Sequence, residues 1–268
     1  MRATAAIAIS VFRESVRDKV FYNLVLFSLL MMASSFLIGQ LTAGQDVKII
    51  KDLGLAATSM FGLFLAVFIG IGLVSKEVER RSIYSLLAKP ITRAQLVLGK
   101  YCGLTLTLAA NITVMAVALY AVLAYLAWGV PADARAAWEA PALDPALIKA
   151  LLLIFVELML VTALALFFST FSSPILSAAL TVGLYIAGHF SGDLRNFQQV
   201  VDSPAAARLA RGLYWVLPNL TQFDVKNNVV HGLPVPLGYM AMTCAYAALY
   251  ITMLLAIASL VFSRRDFK

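Results

Sequence analysis

Residues 158–192 read LMLVTALALFFSTFSSPILSAALTVGLYIAGHFSG, with no Asp, Glu, Lys or Arg anywhere in the run. A membrane span needs about 20 mostly apolar residues to cross about 30 Å of hydrocarbon, so this stretch is too long for one crossing. Ser169-Thr170-Phe171-Ser172-Ser173-Pro174 divides it: turn formers precede a proline that cannot donate to a preceding helical turn. The division predicts a tight hairpin between one helix over about 147–170 and another over about 174–190.

The rest of the chain follows the same pattern. Of 268 residues, 62% are hydrophobic and only 13% charged, and the mean hydropathy of +0.88 lies outside the range of soluble domains. Residues 20–45, 53–75, 101–132 and 227–263 are also free of charged side chains. The last run opens with Asn227, Asn228, Gly232, Pro234 and Pro236, which delays its helix to about residue 237. The fold class expected is an all-α membrane protein forming a single transmembrane domain, 1–268. Its six transmembrane helices lie at about 20–41, 55–75, 101–128, 147–170, 174–190 and 237–262. The first is of span length and starts only at residue 20, so it reads as a retained helix rather than a cleaved signal. Cys102 and Cys244 both fall in spans and suggest neither a disulfide framework nor a metal site.

Orientation follows from the basic residues that flank the spans. Arg2, Arg13, Arg17 and Lys19, then Lys76, Arg80, Arg81, Lys89, Arg93 and Lys100, then Arg264, Arg265 and Lys268 fall on one side. The other side carries the smaller set of Lys48, Lys51, Arg135, Lys149, Arg195, Arg208, Arg211 and Lys226, offset by as many acids. Both termini are therefore expected in the cytoplasm. The net charge of +7 is a topology signal, and nucleic acid is not implied as a partner.

Residues 1–19 are amphipathic. Ile7, Ala8, Ile9, Val11, Phe12 and Val16 share one helical face, with Ser10, Arg13, Glu14, Arg17 and Asp18 opposite, as in a helix lying in the membrane interface. The extracytoplasmic loop, 194–236, is too small to fold alone and should pack on the helix ends as a cap. Within it Ser203-Pro204 predicts a short helix start, and Tyr214-Trp215 suits the interface.

The candidate chemistry is sparse. No G-x-x-x-x-G-K-[ST] occurs, so any ATP that drives this protein is bound by another chain. His189 and Asp193, with Ser191 between them, superficially suggest an intramembrane hydrolase. Glu157 is the one carboxylate inside an expected span, where a charge costs about 2.5–3.5 kcal/mol. It must face a partner or a water-filled cavity, or be protonated, and it is the candidate for the substrate path.

The densest charge lies at residues 76–100, KEVERRSIYSLLAKPITRAQLVLGK. Ile83, Leu86 and Leu87 fall on one helical face, with Arg81, Ser85 and Lys89 opposite, Pro90 as a stop, and Glu77 and Glu79 as an acidic first turn. The pattern Glu77-x-Glu79-Arg80-Arg81-Ser82-x-x-x-Leu86-Leu87-x-Lys89-Pro90-Ile91-x-Arg93, followed by Gly99-Lys100, resembles the loop after the second helix of ABC-2 type permeases. These are membrane subunits of ATP-binding-cassette transporters. Leu217-Pro218-Asn219 with Phe223-Asp224 is similar to an outer loop in one branch of the family.

The resemblance covers nearly the whole chain. It implies that 76–93 is a cytoplasmic coupling helix, with Glu77, Glu79, Arg80, Arg81, Ile83, Leu86, Leu87, Lys89 and Arg93 meeting the ATPase. Many members have Gly-Thr where this chain has Arg81-Ser82, a departure that bears on the docking contacts. The resemblance further implies two ATPase subunits that bind ATP and Mg, a second permease chain as homodimer partner or close relative, and surrounding membrane lipid. It also implies a bacterial or archaeal inner membrane, with no cofactor and no catalytic residue on this chain. The alternatives are a membrane-embedded enzyme using His189, Asp193 or Glu157, and a non-transporting scaffold.

Overall fold

The computed structural model describes residues 2–40, 46–79, 92–135, 138, 140–191, 212 and 217–264. Among these the chain is all helical. Seven helices carry the architecture: α1 (Arg2–Arg17), α2 (Lys19–Gln40), α3 (Asp46–Glu79), α4 (Arg93–Gly129), α5 (Ala146–Ser169), α6 (Pro174–His189) and α7 (Leu237–Arg264). Four stretches are long and apolar enough to cross a membrane: Asp46–Gly72 in α3, Arg93–Gly129 in α4, Ala146–Ser169 in α5 and Leu237–Ser263 in α7. The apolar stretches of α2 and α6, Phe21–Ser34 and Pro174–His189, are shorter.

α5 is the central post, packed against α3, α4, α6 and α7. Its sequence is apolar on every face, which suits a helix surrounded by others. Leu147, Leu153, Leu158, Leu160 and Val161 are completely buried. α2 and α7 lie at the edge, where Leu26, Phe27 and Leu30 of α2 and Met242 and Leu249 of α7 are exposed for contact with lipid.

Small residues set the helix spacing. The side chain of Leu119 on α4 occupies the space beside Gly54 of α3, and that of Leu158 on α5 the space beside Gly62. Without much hydrophobic drive between helices in lipid, such close approach is what yields dispersion energy. Hydroxyls inside the bundle are spent on their own helix. Thr58 donates to the Gly54 carbonyl, Thr107 to Gly103, Thr162 to Leu158 and Thr181 to Ser177, each at 2.7–3.0 Å.

The amphipathic N-terminal residues form α1, which packs along α4. Gly99-x-x-x-Gly103 provides the seat. A Cβ at Gly99 would lie 2.8 Å from Ile7 Cβ and 3.1 Å from the Thr4 carbonyl, and one at Gly103 would lie 2.6 Å from Val11 Cβ and 2.7 Å from the Ala8 carbonyl. Ala8, Val11 and Ser15 are buried in this contact, while Ile9, expected on the same face, is 49% exposed.

α4 begins at Arg93, earlier than the expected span. Thr92 and Gln95 form a capping box: the Thr92 hydroxyl accepts from the Gln95 amide at 3.3 Å and the Gln95 side chain accepts from the Thr92 amide at 3.1 Å. At the opposite end of the bundle lysines bind carbonyls. Lys51 Nζ donates to Pro141 and Lys149 Nζ to Val235, each at 2.9 Å, joining α3 and α5 to the segments that cover them.

Gly103→Val is expected to push α1 off α4, because the Ala8 carbonyl cannot yield as a side chain would. Overpacking of this kind costs about 1–3 kcal/mol. The checks are a lowered melting temperature in detergent and faster proteolysis within residues 2–17. Gly129→Ala, with no neighbour within 4 Å, should change neither.

Candidate functional site

The site is built where α6 stops. Its 16 residues rise about 24 Å against about 36 Å for the 24 residues of α5, so the antiparallel hairpin ends short of the far end of α5, with His189 beside Glu157. Carbonyls that end inside a bundle need donors. The segment 217–230 brings them: the Leu220 amide donates to the Gly188 carbonyl at 3.1 Å, and the Thr221 hydroxyl to the His189 carbonyl at 2.9 Å. A Cβ at Gly188 would stand 2.8 Å from the Pro218 carbonyl, so only glycine admits this approach. Leu220, Phe223 and Val229 are fully buried, and the segment is held again where Tyr246 of α7 accepts from the Asn219 amide at 2.9 Å.

Glu157, the candidate for the substrate path, faces this joint. It is 1% exposed, and Oε1 lies 3.3 Å from Nε2 of His189, whose side chain is 25% exposed. The pair is at ion-pair distance, and Oε1 has no other hydrogen-bond partner among the described residues. His189 Nδ1 donates to the Tyr185 carbonyl at 3.1 Å. The Tyr185 hydroxyl lies within hydrogen-bonding reach of both Glu157 and Ser59 of α3, and Asp224 and Lys226 lie close enough to act on Glu157 electrostatically. The site therefore combines groups from α3, α5, α6 and the covering segment.

The sequence singled out Glu157 and His189 separately, and the structure places them together. Asp193 lies outside the described residues. Ser191 is buried, and among the described residues its hydroxyl has no hydrogen-bond partner. Tyr185 and Ser59 were not anticipated. Tyr185 stands four residues before His189 on one helical face, a readable spacing, whereas Ser59 offered no signal.

At the other end of the bundle, most of the expected coupling residues lie beyond what the structure describes. Arg80, Arg81, Ile83, Leu86, Leu87 and Lys89 fall outside the described residues, as does the expected helix start at Ser203-Pro204. The α3 backbone is still helical at Glu79. Glu77 and Glu79 therefore continue the long helix α3 instead of opening a new one, and a separate acidic first turn at these residues is not what forms. Arg93 is described. Its guanidinium donates to the carbonyls of Phe262 at 2.9 Å and Ser263 at 2.8 Å, near the C-terminal end of α7. These charge-assisted bonds sit favourably at the negative end of the helix dipole.

A family model described as ABC-2 family transporter protein matches residues 5–267. No curated protein matches the chain. The match takes in α1 and the covering segment as well as the apolar helices, and it agrees with four helices able to cross a bilayer. The chain belongs to the ABC-2 transporter family, the multi-pass membrane permease components of ABC transporters that associate with an ATPase subunit.

Proposed function

We propose that this chain is the permease subunit that couples ATP hydrolysis on a separate ATPase to movement of a substrate across or out of the membrane. ATP and Mg are bound by two copies of that partner. The permease pairs with a second copy of itself, and both termini and residues 76–93 face the cytoplasm of a bacterial or archaeal cell. Membership of the ABC-2 family supports the assignment in general. The observation that carries the coupling role is Arg93. The basic stretch runs between the end of α3 and the start of α4, and at its far side Arg93 grips the end of α7. A push on residues 80–91 is thus delivered to three helices at once. In this reading Glu79, Arg80, Arg81, Ile83, Leu86, Leu87 and Lys89 meet the ATPase with Glu77, and Arg93 passes the motion on. Glu157 lines the substrate path at the level where α6 ends.

Among the described residues, the enzyme alternative draws support from the proximity of His189 and Glu157.

Combined reversal of Glu77 and Arg80 to Lys and Glu is expected to lower co-purification of the ATPase and to abolish the permease's effect on its turnover. Unchanged values in both would sink the coupling assignment. Arg93→Ala should behave differently: the ATPase still co-purifies, but transport per ATP hydrolysed falls several-fold. The check is paired transport and phosphate-release assays in proteoliposomes.

A further inference from the structure

We propose that Glu157 and His189 together form a buried proton-binding site that holds one proton between them. The argument starts from the imidazole. A carbonyl oxygen only accepts, so the 3.1 Å contact with Tyr185 places a hydrogen on Nδ1. In a neutral ring, Nε2 then presents a lone pair, and it presents it to Glu157 Oε1 at 3.3 Å. With Glu157 1% exposed, an ionised carboxylate would confront that lone pair with almost no water between or around them. The Tyr185 hydroxyl and Lys226 offset part of that charge, but they leave the lone pair of Nε2 facing it, and a buried charge met by a lone pair is costly.

Two arrangements remove the conflict. One is an imidazolium beside a carboxylate, and the other is a neutral ring accepting from a carboxylic acid. They differ only in which atom the proton is attached to, Nε2 or Oε1, and both leave the pair with no net charge. Uptake joins a proton from water to the ring or the acid, and release returns it. The 25% exposed side chain of His189 is the side from which it exchanges.

Of the described groups that act on Glu157 besides His189, Lys226 is the cation, and Asp224 beside it opposes its effect. On α6, Tyr185 reaches Glu157 with a neutral hydroxyl. From the covering segment Lys226 and Asp224 act on Glu157 in opposite senses and lie 4.0 Å from each other. The side chain of α3 that reaches this cluster is Ser59. Tyr101 of α4 donates to the Met159 carbonyl, and Tyr246 of α7 accepts from Asn219; neither carries a positive charge. The assignment holds whether or not Glu157 lines a transport route. It also places the proton beside the joint, since the same His189 accepts from Thr221 through its carbonyl.

The chain has only two histidines, which makes the test direct. Full-length protein carrying His231→Gln, a change at an exposed residue, is labelled with 15N-histidine and reconstituted in lipid nanodiscs, leaving His189 as the one imidazole observed. At neutral pH, Nδ1 is expected to be protonated. In addition, either Nε2 is protonated too, or the infrared spectrum shows a carboxylic-acid carbonyl band that disappears in Glu157→Gln. Glu157→Gln should leave a neutral ring with its hydrogen on Nδ1 and hold one proton fewer per chain. A neutral ring with its hydrogen on Nε2 alone, or a neutral ring with no acid band, would overturn the proposal.

Discussion

The structure turns on a helix that ends inside the bundle. α6 stops at His189, beside Glu157 of its partner α5, and the carbonyls of Gly188 and His189 take donors from the covering segment. The covering segment has to descend to them, and its fully buried Leu220 and Phe223 anchor it where its amide and hydroxyl complete the helix end. Once there, it brings Asp224 and Lys226 close to Glu157. The contacts at the end of α6 therefore link the position of the covering segment, the glycine at 188 and the polar cluster beneath.

The opposite end of the bundle solves a related problem with a different group. Near the C-terminal end of α7, one nitrogen of the Arg93 guanidinium, Nη1, donates to the carbonyls of both Phe262 and Ser263. α1 is then fixed to the same helix through Gly99 and Gly103, so α4 gathers the amphipathic N-terminal helix and the last helix at one end. The exposed residues Arg13 and Glu14 keep the far side of α1 polar.

Helix type and much of helix placement were legible in the sequence because charge-free runs and Pro174 leave little choice in a bilayer. α5 ends at Ser169 and α6 begins at Pro174, where the serines and proline divide the apolar run. Legibility fails where an apolar pattern cannot tell lipid from protein. Residues 4, 8 and 11 of α1 suit a membrane surface as well as they suit two glycines on another helix, and only Gly99-x-x-x-Gly103 hinted at the second. The start of α4 was missed because Arg93 and Lys100 read as loop charges, although Thr92-x-x-Gln95 announced a cap. The partnership of Glu157 with His189 required knowing that α6 is short and antiparallel to α5, a distance relation that no local pattern encodes.

α3 connects the two ends. It is a single helix of 34 residues, about 51 Å long, and it reaches Glu79 at one end of its course while Ser59 contributes to the cluster around Glu157. Its Gly62 receives Leu158, the residue next to Glu157, at a contact with no slack. A rigid helix that is displaced along its axis at Glu79 must carry Ser59 and Gly62 with it, because helices transmit translation with little loss. Close-packed contacts do not stretch; they hold or they change partners. Movement of α3 would therefore drag α5 through Leu158 or break the contact, and either outcome alters the surroundings of Glu157. The polar pair sits where α3, α5, α6 and the covering segment meet, so a displacement of α3 would be felt at the covered end.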